Sequence, residues 1–195
     1  YLTSDYRRML DDSEKLIEGL RVMLKLFDNA KGYICIEDNK PDCIAKLKEM
    51  VKDIPRIEVA ELMTKYPQGA ERQLIFANTG RAINSTMLPA DAGCVVDNVE
   101  TIISIYNAVV KGIPSMERVV TVTGDGVVNP GNYKVLFGTN QNELIEAVRT
   151  CRRCRWPERK DRESNFRWTD DGICDVYDRY TDHQDIFIYS LHVKR

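Results

Sequence analysis

Residues 64–74 (TKYPQGAERQL) place a glycine, a cation and a carboxylate at the predicted start of a helix. Gly69 would let a ligand approach the backbone closely, and the free N–H groups of a helix N-terminus favour phosphate. Lys65 can add a positive charge, and Glu71 can accept a hydrogen bond from a ribose hydroxyl or an amide. The alternative is a surface turn followed by a first-turn glutamate, which stabilises a helix without any ligand.

A second polar cluster, residues 97–101 (DNVET), follows a short apolar run and opens a long segment of helical periodicity. Ligands of open α/β sheets bind beyond the carboxyl ends of the strands. Asn98, Thr101 and the first N–H groups of the helix would there meet a phosphate or the edge of a flavin. The alternative is a purely structural role, because Asn98 is a favourable helix N-cap and the glutamate that follows lies near the capping-box position.

The remaining polar residues lead us to predict neither a catalytic residue nor a metal site. Residues 117–133 (ERVVTVTGDGVVNPGNY) contain no pair of a nucleophile and a base, so we interpret them as structural. Further on, Cys151 and Cys154 form a C-x₂-C pair, with Cys174 and His183 downstream. A zinc site usually takes four converging ligands in paired spacings, and this arrangement offers a single pair.

The elements that position the first two clusters begin with a strand–helix–strand unit. Asp12 and Ser13 can cap a helix whose apolar residues follow helical spacing. Residues 31–37 (KGYICIE) predict a strand, Pro41 the first turn of a helix, and residues 56–62 a second strand. A strand, a helix and a strand within about 30 residues form a βαβ unit, so we predict a parallel sheet.

The second half of this region predicts a long helix and then a small β-rich module. Residues 94–96 predict a buried strand, and the helix that Asn98 caps should end at Gly112. Its inward-facing residues are predicted to be Val99, Ile102, Ile103, Tyr106, Val109 and Val110. Beyond a boundary near residues 111–115, we predict strands at 119–122 and 133–137 and a helix at 140–148.

Charge and composition argue against two classes of protein. The net charge is -2, with 28 basic and 30 acidic side chains, whereas nucleic-acid-binding proteins usually carry a basic excess. No apolar run approaches the ~18 residues of a membrane-spanning helix, so we expect no span. Cys35, Cys43 and Cys94 are scattered singly through apolar segments, which is typical of a reducing compartment.

The residue usage changes after Val148. Residues 149–195 contain both tryptophans and both histidines, many arginines, a single leucine and no alanine. Without a consistent hydrophobic period, such a segment cannot offset the ~1–2 kcal/mol per residue that backbone ordering costs. We therefore predict a non-native or disordered tail over residues 149–195, in which the apolar run 186–191 is the best candidate to pack. Function must then be read from residues 1–148.

Five strings within residues 1–148, in this order and spacing, resemble the C subunit of the Rnf ion-translocating electron transport complex. More distantly, they resemble the NADH-binding flavoprotein subunit of respiratory complex I. The strings are YLTSDYRRML, GYICIEDNKPD, TKYPQGAERQL, LPADAGCVVDNVET and ERVVTVTGDGVVNPGNY. The resemblance implies an α/β fold in which a Rossmann-like parallel sheet with flanking helices (residues 1–113) binds FMN and NADH. A partial β-grasp module, the soluble-ligand-binding type (residues 114–148), would follow it.

On the flavin side, the resemblance implies a role for the second cluster. Asn98 and Thr101 match an Asn-Val-x-Thr element of the family. Asp97 stands where relatives carry Asn or Gln, so the hydrogen bond of that amide is missing here. A carboxylate at this position repels a flavin phosphate unless water or a cation intervenes.

On the nicotinamide side, the resemblance implies a role for the first cluster. Gly69 and Glu71 match the loop that faces the nicotinamide nucleotide in the complex I relatives. Ala70 replaces the family's second glycine, which restricts the approach of a ligand to the backbone. Lys65 matches the sequence signature only.

The family resemblance implies NADH oxidation, in which a hydride passes to FMN and single electrons leave through 4Fe–4S clusters. The parent would be peripheral on the cytoplasmic side of the cell membrane, with the other Rnf subunits as partners. The family's glycine-rich flavin loop, its Asn-x-Ala-Glu-Cys-Glu-Pro segment and the cysteine runs that hold the clusters are not among these 195 residues. We therefore expect this chain to bind FMN weakly or not at all and to transfer no electrons alone. The alternative is a non-catalytic binding or scaffold module of a membrane complex.

The same resemblance offers an explanation for the tail. When residues 164–190 are back-translated with permitted codons and read one nucleotide later, they can become VISGGPMMGFAMFMTDIPITKTSSST. This string resembles the family's own continuation, so we interpret residues 149–195 as its frameshifted translation. The sequence of the coding DNA tests this interpretation.

Overall fold

A computed structural model describes residues 3–123, 127, 129–148, 166–168, 174–176 and 190–194. The helices in this part of the chain are α1 (Ser4–Asp11), α2 (Ser13–Leu24), α3 (Pro41–Val51), α4 (Glu71–Thr79), α5 (Val99–Lys111) and α6 (Gln141–Val148). The strands are β1 (Lys31–Glu37), β2 (Ile57–Leu62), β3 (Cys94–Asn98), β4 (Glu117–Thr123), β5 (Gly131–Leu136), β6 (Phe166–Trp168), β7 (Cys174–Val176) and β8 (Ser190–Lys194).

These elements fall into two compact units. The larger unit comprises Asp5–Ser115 and Asp185–Arg195, and the smaller unit comprises Tyr1–Ser4 and Met116–Gln184. Each unit contains its own four-stranded sheet. None of the helices in the described ranges combines the length and the apolar character that crossing a membrane requires.

The sheet of the larger unit has the strand order β2-β1-β8-β3. Strands β1 and β2 are parallel, in register from the Gly32–Ile57 pair to the Glu37–Leu62 pair, which confirms the predicted α/β fold with a parallel sheet. Strand β8 is antiparallel to both β1 and β3. Strands β1, β2 and β3 therefore run in one direction, and their carboxyl ends lie at the same edge of the sheet, here called the carboxyl edge.

Strand β8 belongs to the segment that sequence analysis predicts to be a non-native or disordered tail. The backbone of Ser190–Lys194 pairs with β1 and β3, and Phe166–Trp168 and Cys174–Val176 form short strands in the smaller unit. Most of residues 149–195 lie outside the described residues, including most of the run 186–191. The predicted nature of this tail, frameshift included, stays a prediction.

The core of the larger unit lies on one face of its sheet. Ile34 and Ile36 of β1 pack there against buried residues of the helices α2, α3 and α5. Helix α4 lies on the opposite face. Its Asn78 Nδ2 donates a hydrogen bond there to the Sγ of Cys35, at 3.2 Å. Helices on both faces of a parallel sheet are typical of α/β proteins.

Helices α2 and α5 approach each other closely at Gly19. A Cβ atom added to Gly19 would lie 2.3 Å from the backbone oxygen of Ile102, a distance that no side chain tolerates. Glycine at this point of α2 therefore sets how near α5 lies, and α5 in turn presents the predicted site residues Asn98 and Thr101.

The prediction for the inward face of α5 is wrong over its last turn. Val99, Ile102 and Ile103 are buried as expected, but Val109 and Val110 are 66% and 51% exposed. The apolar period of the helix thus continues beyond the part that the described elements of the larger unit cover. Sequence analysis also did not predict helix α1.

At the end of the sheet opposite the carboxyl edge, Arg56 closes the helix α2. Its guanidinium donates hydrogen bonds to the backbone oxygens of Ala30 at 2.9 Å, Leu24 at 2.7 Å and Phe27 at 2.8 Å. Its backbone has a φ of 75°, a conformation that costs a non-glycine residue about 1–2 kcal/mol. The three hydrogen bonds offset this cost by pairing the guanidinium with the last carbonyl of α2 and with two carbonyls of the segment that follows it.

The smaller unit is built on a β-hairpin and a helix. Strands β4 and β5 are antiparallel from the Glu117–Leu136 pair to the Val122–Gly131 pair. Val120 and Val122 of β4 pack against Leu144 and Val148 of α6. The predicted turn between the two strands lies partly outside the described residues. The assignment of a β-grasp module stays a prediction.

Candidate functional site

The carboxyl edge of the larger sheet is stepped. Asp97 of β3 and Ile34 of β1 are both in register with Leu191 of β8. Strand β1 runs three residues further, to Glu37, which extends it about 10 Å beyond the level of Asp97 at ~3.3 Å per residue. The edge therefore has a high side, formed by the ends of β1 and β2, and a low side, where β3 passes into α5.

On the high side, Asp38 anchors the segment that follows β2. Its Oδ1 accepts hydrogen bonds from the Thr64 backbone N–H at 3.0 Å and from the Thr64 hydroxyl at 2.6 Å. These hydrogen bonds, the one from the hydroxyl first, lower the pKa of the Asp38 carboxyl from its ordinary value. Residues 64–74 therefore leave the sheet directly beside the end of β1.

The predicted nicotinamide-side residues lie along this anchored segment. Lys65 is exposed, Gly69 is half-buried, and Glu71 is exposed in the first turn of α4. The N-cap of this helix is Ala70, whose side chain offers no acceptor. Within the described residues, the Lys65 and Glu71 side chains make no hydrogen bond or ion pair, so both remain available to a ligand.

On the low side, Asn98 is engaged at both ends of its side chain. Its Oδ1 accepts a hydrogen bond from the Glu100 backbone N–H at 2.8 Å, which confirms the predicted N-cap of α5. Its Nδ2 donates to the Asp5 Oδ2 at 2.9 Å. The Thr101 side chain, in the first turn of the helix, is exposed. Of the two flavin-side residues, Asn98 therefore stabilises the fold through these two hydrogen bonds, whereas Thr101 faces solvent.

A second contact joins helix α1 to the start of α5. Arg8 donates from Nε to the Glu100 Oε2 at 2.6 Å, and it also pairs with Asp12. The side chains of Arg8 and Glu100 are only 17% and 14% exposed. Sequence analysis missed this network because its partners are 92 residues apart and no local pattern links them.

Asp97 is a half-buried carboxylate at the end of β3. Burial raises its pKa above the ordinary value of an aspartate, because desolvation disfavours the charged form. With Asp5 near Asn98, the start of α5 carries more negative than positive side chains. This arrangement weakens the attraction that the helix N-terminus has for a phosphate.

The structure brings the six predicted residues to one edge but in two groups. Lys65, Gly69 and Glu71 follow β2, whereas Asp97, Asn98 and Thr101 lie where β3 meets α5. Strands β1 and β8 lie between β2 and β3, so three spacings of ~4.8 Å, about 14 Å in all, separate the two groups. A ligand that contacts both groups must extend across the end of β1.

Glu37, which ends β1 between the two groups, was not among the residues predicted from the sequence. Its side chain is buried, and its Oε1 has no hydrogen-bond partner in the described part of the chain. The signal in the sequence was a carboxylate directly after the apolar run of β1. Such a residue is conspicuous because buried polar atoms are normally hydrogen-bonded.

Among the described residues, neither a reactive thiol nor a metal-binding cluster is found at this edge. Burial raises the pKa of the Cys35 thiol to about 12 and that of Cys43 to about 11, so both are poor nucleophiles at neutral pH. Over the described ranges, no three His, Cys, Asp or Glu residues come close enough to hold a metal ion. The side chains of the zinc alternative, Cys151, Cys154, Cys174 and His183, lie outside what the structure describes.

Comparison with known proteins identifies the family. The model of the Nuo51 FMN-binding domain family matches residues 1–107, which include all six predicted site residues. The C subunit of the proton-translocating ferredoxin:NAD(+) oxidoreductase complex of Clostridium ljungdahlii is 44% identical over 146 residues, 75% of this chain and 32% of that protein. The corresponding Na(+)-translocating protein of Acetobacterium woodii is 43% identical over 146 residues, 75% of this chain and 33% of that protein.

A more distant relative has the same kind of name. The C subunit of the ion-translocating oxidoreductase complex of Pasteurella multocida is 38% identical over 148 residues, 76% of this chain and 18% of that protein. The chain therefore spans about a third of the length of the two more similar relatives. The resemblance to the Rnf C subunit is confirmed by these relatives, and the chain belongs to the Nuo51 FMN-binding domain family.

Proposed function

We propose that this chain is the flavin-binding part of an electron-transfer protein, the C subunit of an Rnf-type ion-translocating oxidoreductase. Its partners would be NADH and the other subunits of the complex, and its place the cytoplasmic side of the membrane. Bound FMN would supply a group that accepts a hydride and releases single electrons to 4Fe–4S clusters of the longer parent. The work of residues 1–107 would be to bind and orient FMN and the nicotinamide nucleotide.

The observation that carries this proposal is where the FMN-binding family match falls. It spans residues 1–107, and within them the polar residues predicted from sequence lie at the carboxyl edge of the sheet. That edge is where open α/β folds bind nucleotides.

The residues present fit the sugar part of a nucleotide better than its phosphate. The unpartnered Glu37 Oε1 and the exposed Glu71 can accept hydrogen bonds from hydroxyl groups. At α5, Asn98 already satisfies one of the free N–H groups of the helix end, and Asp97 would repel a phosphate. Thr101 and the remaining N–H groups would hold the phosphate, with Lys65 supplying the positive charge on the nicotinamide side.

A second candidate, a non-catalytic scaffold module of the same complex, is favoured by one observation. Both polar atoms of the Asn98 side chain are used within the fold, so the residue that should face the flavin already has a structural role. In this alternative the larger unit would retain contacts with its partner proteins and bind no flavin.

Titration of FMN and riboflavin into the purified chain separates the two candidates. The electron-transfer proposal predicts saturable binding of both at high ligand concentration, with FMN tighter because only FMN carries the phosphate that Thr101 and the helix end would meet. We expect weak binding, and the variant Asp97→Asn to tighten FMN but not riboflavin. Absence of saturable binding by wild type and variant alike would leave the scaffold candidate.

A further inference from the structure

Among the described residues of the larger unit, Glu37 is a buried carboxylate that the flavin assignment from sequence does not use. The Glu37 side chain is 6% exposed. Its Oε2 accepts a hydrogen bond from the Lys40 Nζ at 3.1 Å, whereas Oε1 has no partner among the described residues. An unsatisfied buried acceptor costs free energy, and more when it is charged, so such an atom calls for a role.

The strand geometry shows on which side of the sheet Glu37 lies. Side chains alternate along a strand, and Ile34 and Ile36 face the core with α2, α3 and α5. Cys35 faces the opposite side, where the Asn78 amide of α4 contacts its sulfur. Glu37 is two residues beyond Cys35, so it lies on the same side as α4, at the carboxyl end of β1.

Glu37 is also next to the anchor of the nicotinamide-side segment. Asp38, the following residue, holds Thr64 through two hydrogen bonds, and residues 64–74 start there. Glu37 pairs in register with Leu62, the last residue of β2. The free carboxylate oxygen therefore lies between the two groups of predicted ligand residues.

We infer that Glu37 is a further ligand-binding residue, whose Oε1 accepts a hydrogen bond from a sugar hydroxyl of the bound nucleotide. This inference rests on the proposed function. A carboxylate oxygen repels phosphate, and its companion oxygen is already paired with Lys40, so Oε1 offers a single acceptor to a neutral donor such as a sugar hydroxyl. In the described residues no further carboxylate, Cys or His completes a cation site with it.

Two sugars carry this chemistry, the ribityl chain of the flavin and the ribose of the nicotinamide nucleotide. Riboflavin and ADP-ribose are the probes for the two sources, and lumiflavin, which has the flavin ring without the ribityl chain, is the reference. Binding is measured by ligand-observed NMR at up to millimolar concentration in the wild type, Glu37→Gln, Glu37→Met and the matched control Glu61→Gln. Glu61 is exposed on the neighbouring strand β2 and pairs with Lys48.

The inference predicts a graded loss for one of the two sugar probes. Glu37→Met, which retains no acceptor, should weaken that probe about tenfold, and Glu37→Gln, which retains a neutral acceptor, should weaken it less. Lumiflavin binding and every affinity of Glu61→Gln should stay unchanged. The weakened probe identifies the sugar.

Two results overturn the inference, and they are distinguishable from failure of the proposed function. If the wild type binds the sugar probes and both Glu37 variants bind them equally well, Glu37 is no ligand. If the double variant Glu37→Met/Lys40→Met unfolds at a clearly lower temperature than wild type, the pair is structural, whereas the inference predicts equal or higher stability. A wild type that binds none of the three probes refutes the proposed function, and this inference with it.

Discussion

The two edges of the larger sheet differ in how completely their polar groups are satisfied. At the opposite end of the sheet, where β1 and β2 begin and which is here called the amino edge, Arg56 adopts an unfavourable φ of 75°. Its guanidinium donates hydrogen bonds to three backbone oxygens. At the carboxyl edge, Glu37 keeps a buried oxygen without a partner in the described residues. In the same ranges, the side chains of Lys65, Glu71 and Thr101 make no hydrogen bonds.

The difference separates structural from ligand-facing polar residues without reference to any relative. Where a fold uses its polar side chains to close a helix or join two elements, a ligand gains little from them. Where hydrogen-bonding capacity is left over at a position that strand direction makes a binding edge, the surplus marks a site. By this criterion Asn98 belongs with Arg56, although it lies at the carboxyl edge.

The largest expected effect concerns the amino edge. Arg56→Ala removes three hydrogen bonds to backbone oxygens, and we expect it to lower the free energy of unfolding by about 2–3 kcal/mol. Arg56→Gly loses the same bonds but relieves the φ of 75°, so it should be more stable than Arg56→Ala by about 1 kcal/mol. Urea denaturation measures both. Equal stability of the two variants would show that the backbone at this residue is not strained.

The next effect tests whether Asn98 is structural. Asn98→Ala loses the N-cap of α5 and the contact with Asp5, and should lower the free energy of unfolding by about 1–2 kcal/mol. Thr101→Ala, in the first turn of the same helix but exposed, should change it by less than about 0.5 kcal/mol. If Thr101→Ala lowered the free energy of unfolding as much as Asn98→Ala does, the distinction between a structural Asn98 and a ligand-facing Thr101 would be wrong.

A smaller effect depends on pH and concerns Asp97. Burial raises the pKa of its carboxyl, so the folded protein holds this proton more tightly than the unfolded chain does. As the pH rises from the ordinary aspartate value of about 4 through the raised folded-state pKa, the wild type should lose stability relative to Asp97→Asn. Below that window the difference should not change with pH. Thermal unfolding of wild type and Asp97→Asn as a function of pH measures this difference, and a difference that stays constant over the whole pH range would contradict the prediction.

The smallest effect on stability belongs to the ligand-facing residues. Lys65→Ala should leave the free energy of unfolding within about 0.5 kcal/mol of wild type, because the Lys65 side chain is exposed. It should weaken binding of NADH about two- to fivefold, whereas Lys25→Ala, at an exposed position after α2, should not. Isothermal titration and urea denaturation of the same samples give both values, and a stability loss without a binding loss would contradict the assignment.

What the sequence could predict was local. Pro41, Asn98 and Gly112 mark helix ends through their own chemistry, and the βαβ spacing predicted the parallel pairing of β1 and β2. The residues that decide which side chains are free were not predictable, because their partners are distant along the chain. Asn98 reaches Asp5 across 93 residues, a contact without any local pattern.

The errors have the same physical origin. An apolar period predicts burial only as far as a neighbour covers it, and Val109 and Val110 lie beyond that limit. Glu37 was not predicted because a carboxylate at the end of a strand is usually solvated, whereas in the folded protein its side chain is only 6% exposed. Local chemistry thus predicts the elements, and their assembly decides which of their side chains remain for function.

The account depends on the claim that the carboxyl edge is the nucleotide site, and amide chemical shifts test it most directly. FMN titrated into the isotopically labelled chain should shift the resonance of Thr101 in a saturable manner, NADH should shift those of Gly69 and Glu71, and one of the two ligands should shift that of Glu37. The amides of Arg56 and its neighbours at the amino edge should not move. Shifts concentrated at the amino edge or in the smaller unit, with the carboxyl edge unchanged, would contradict the account.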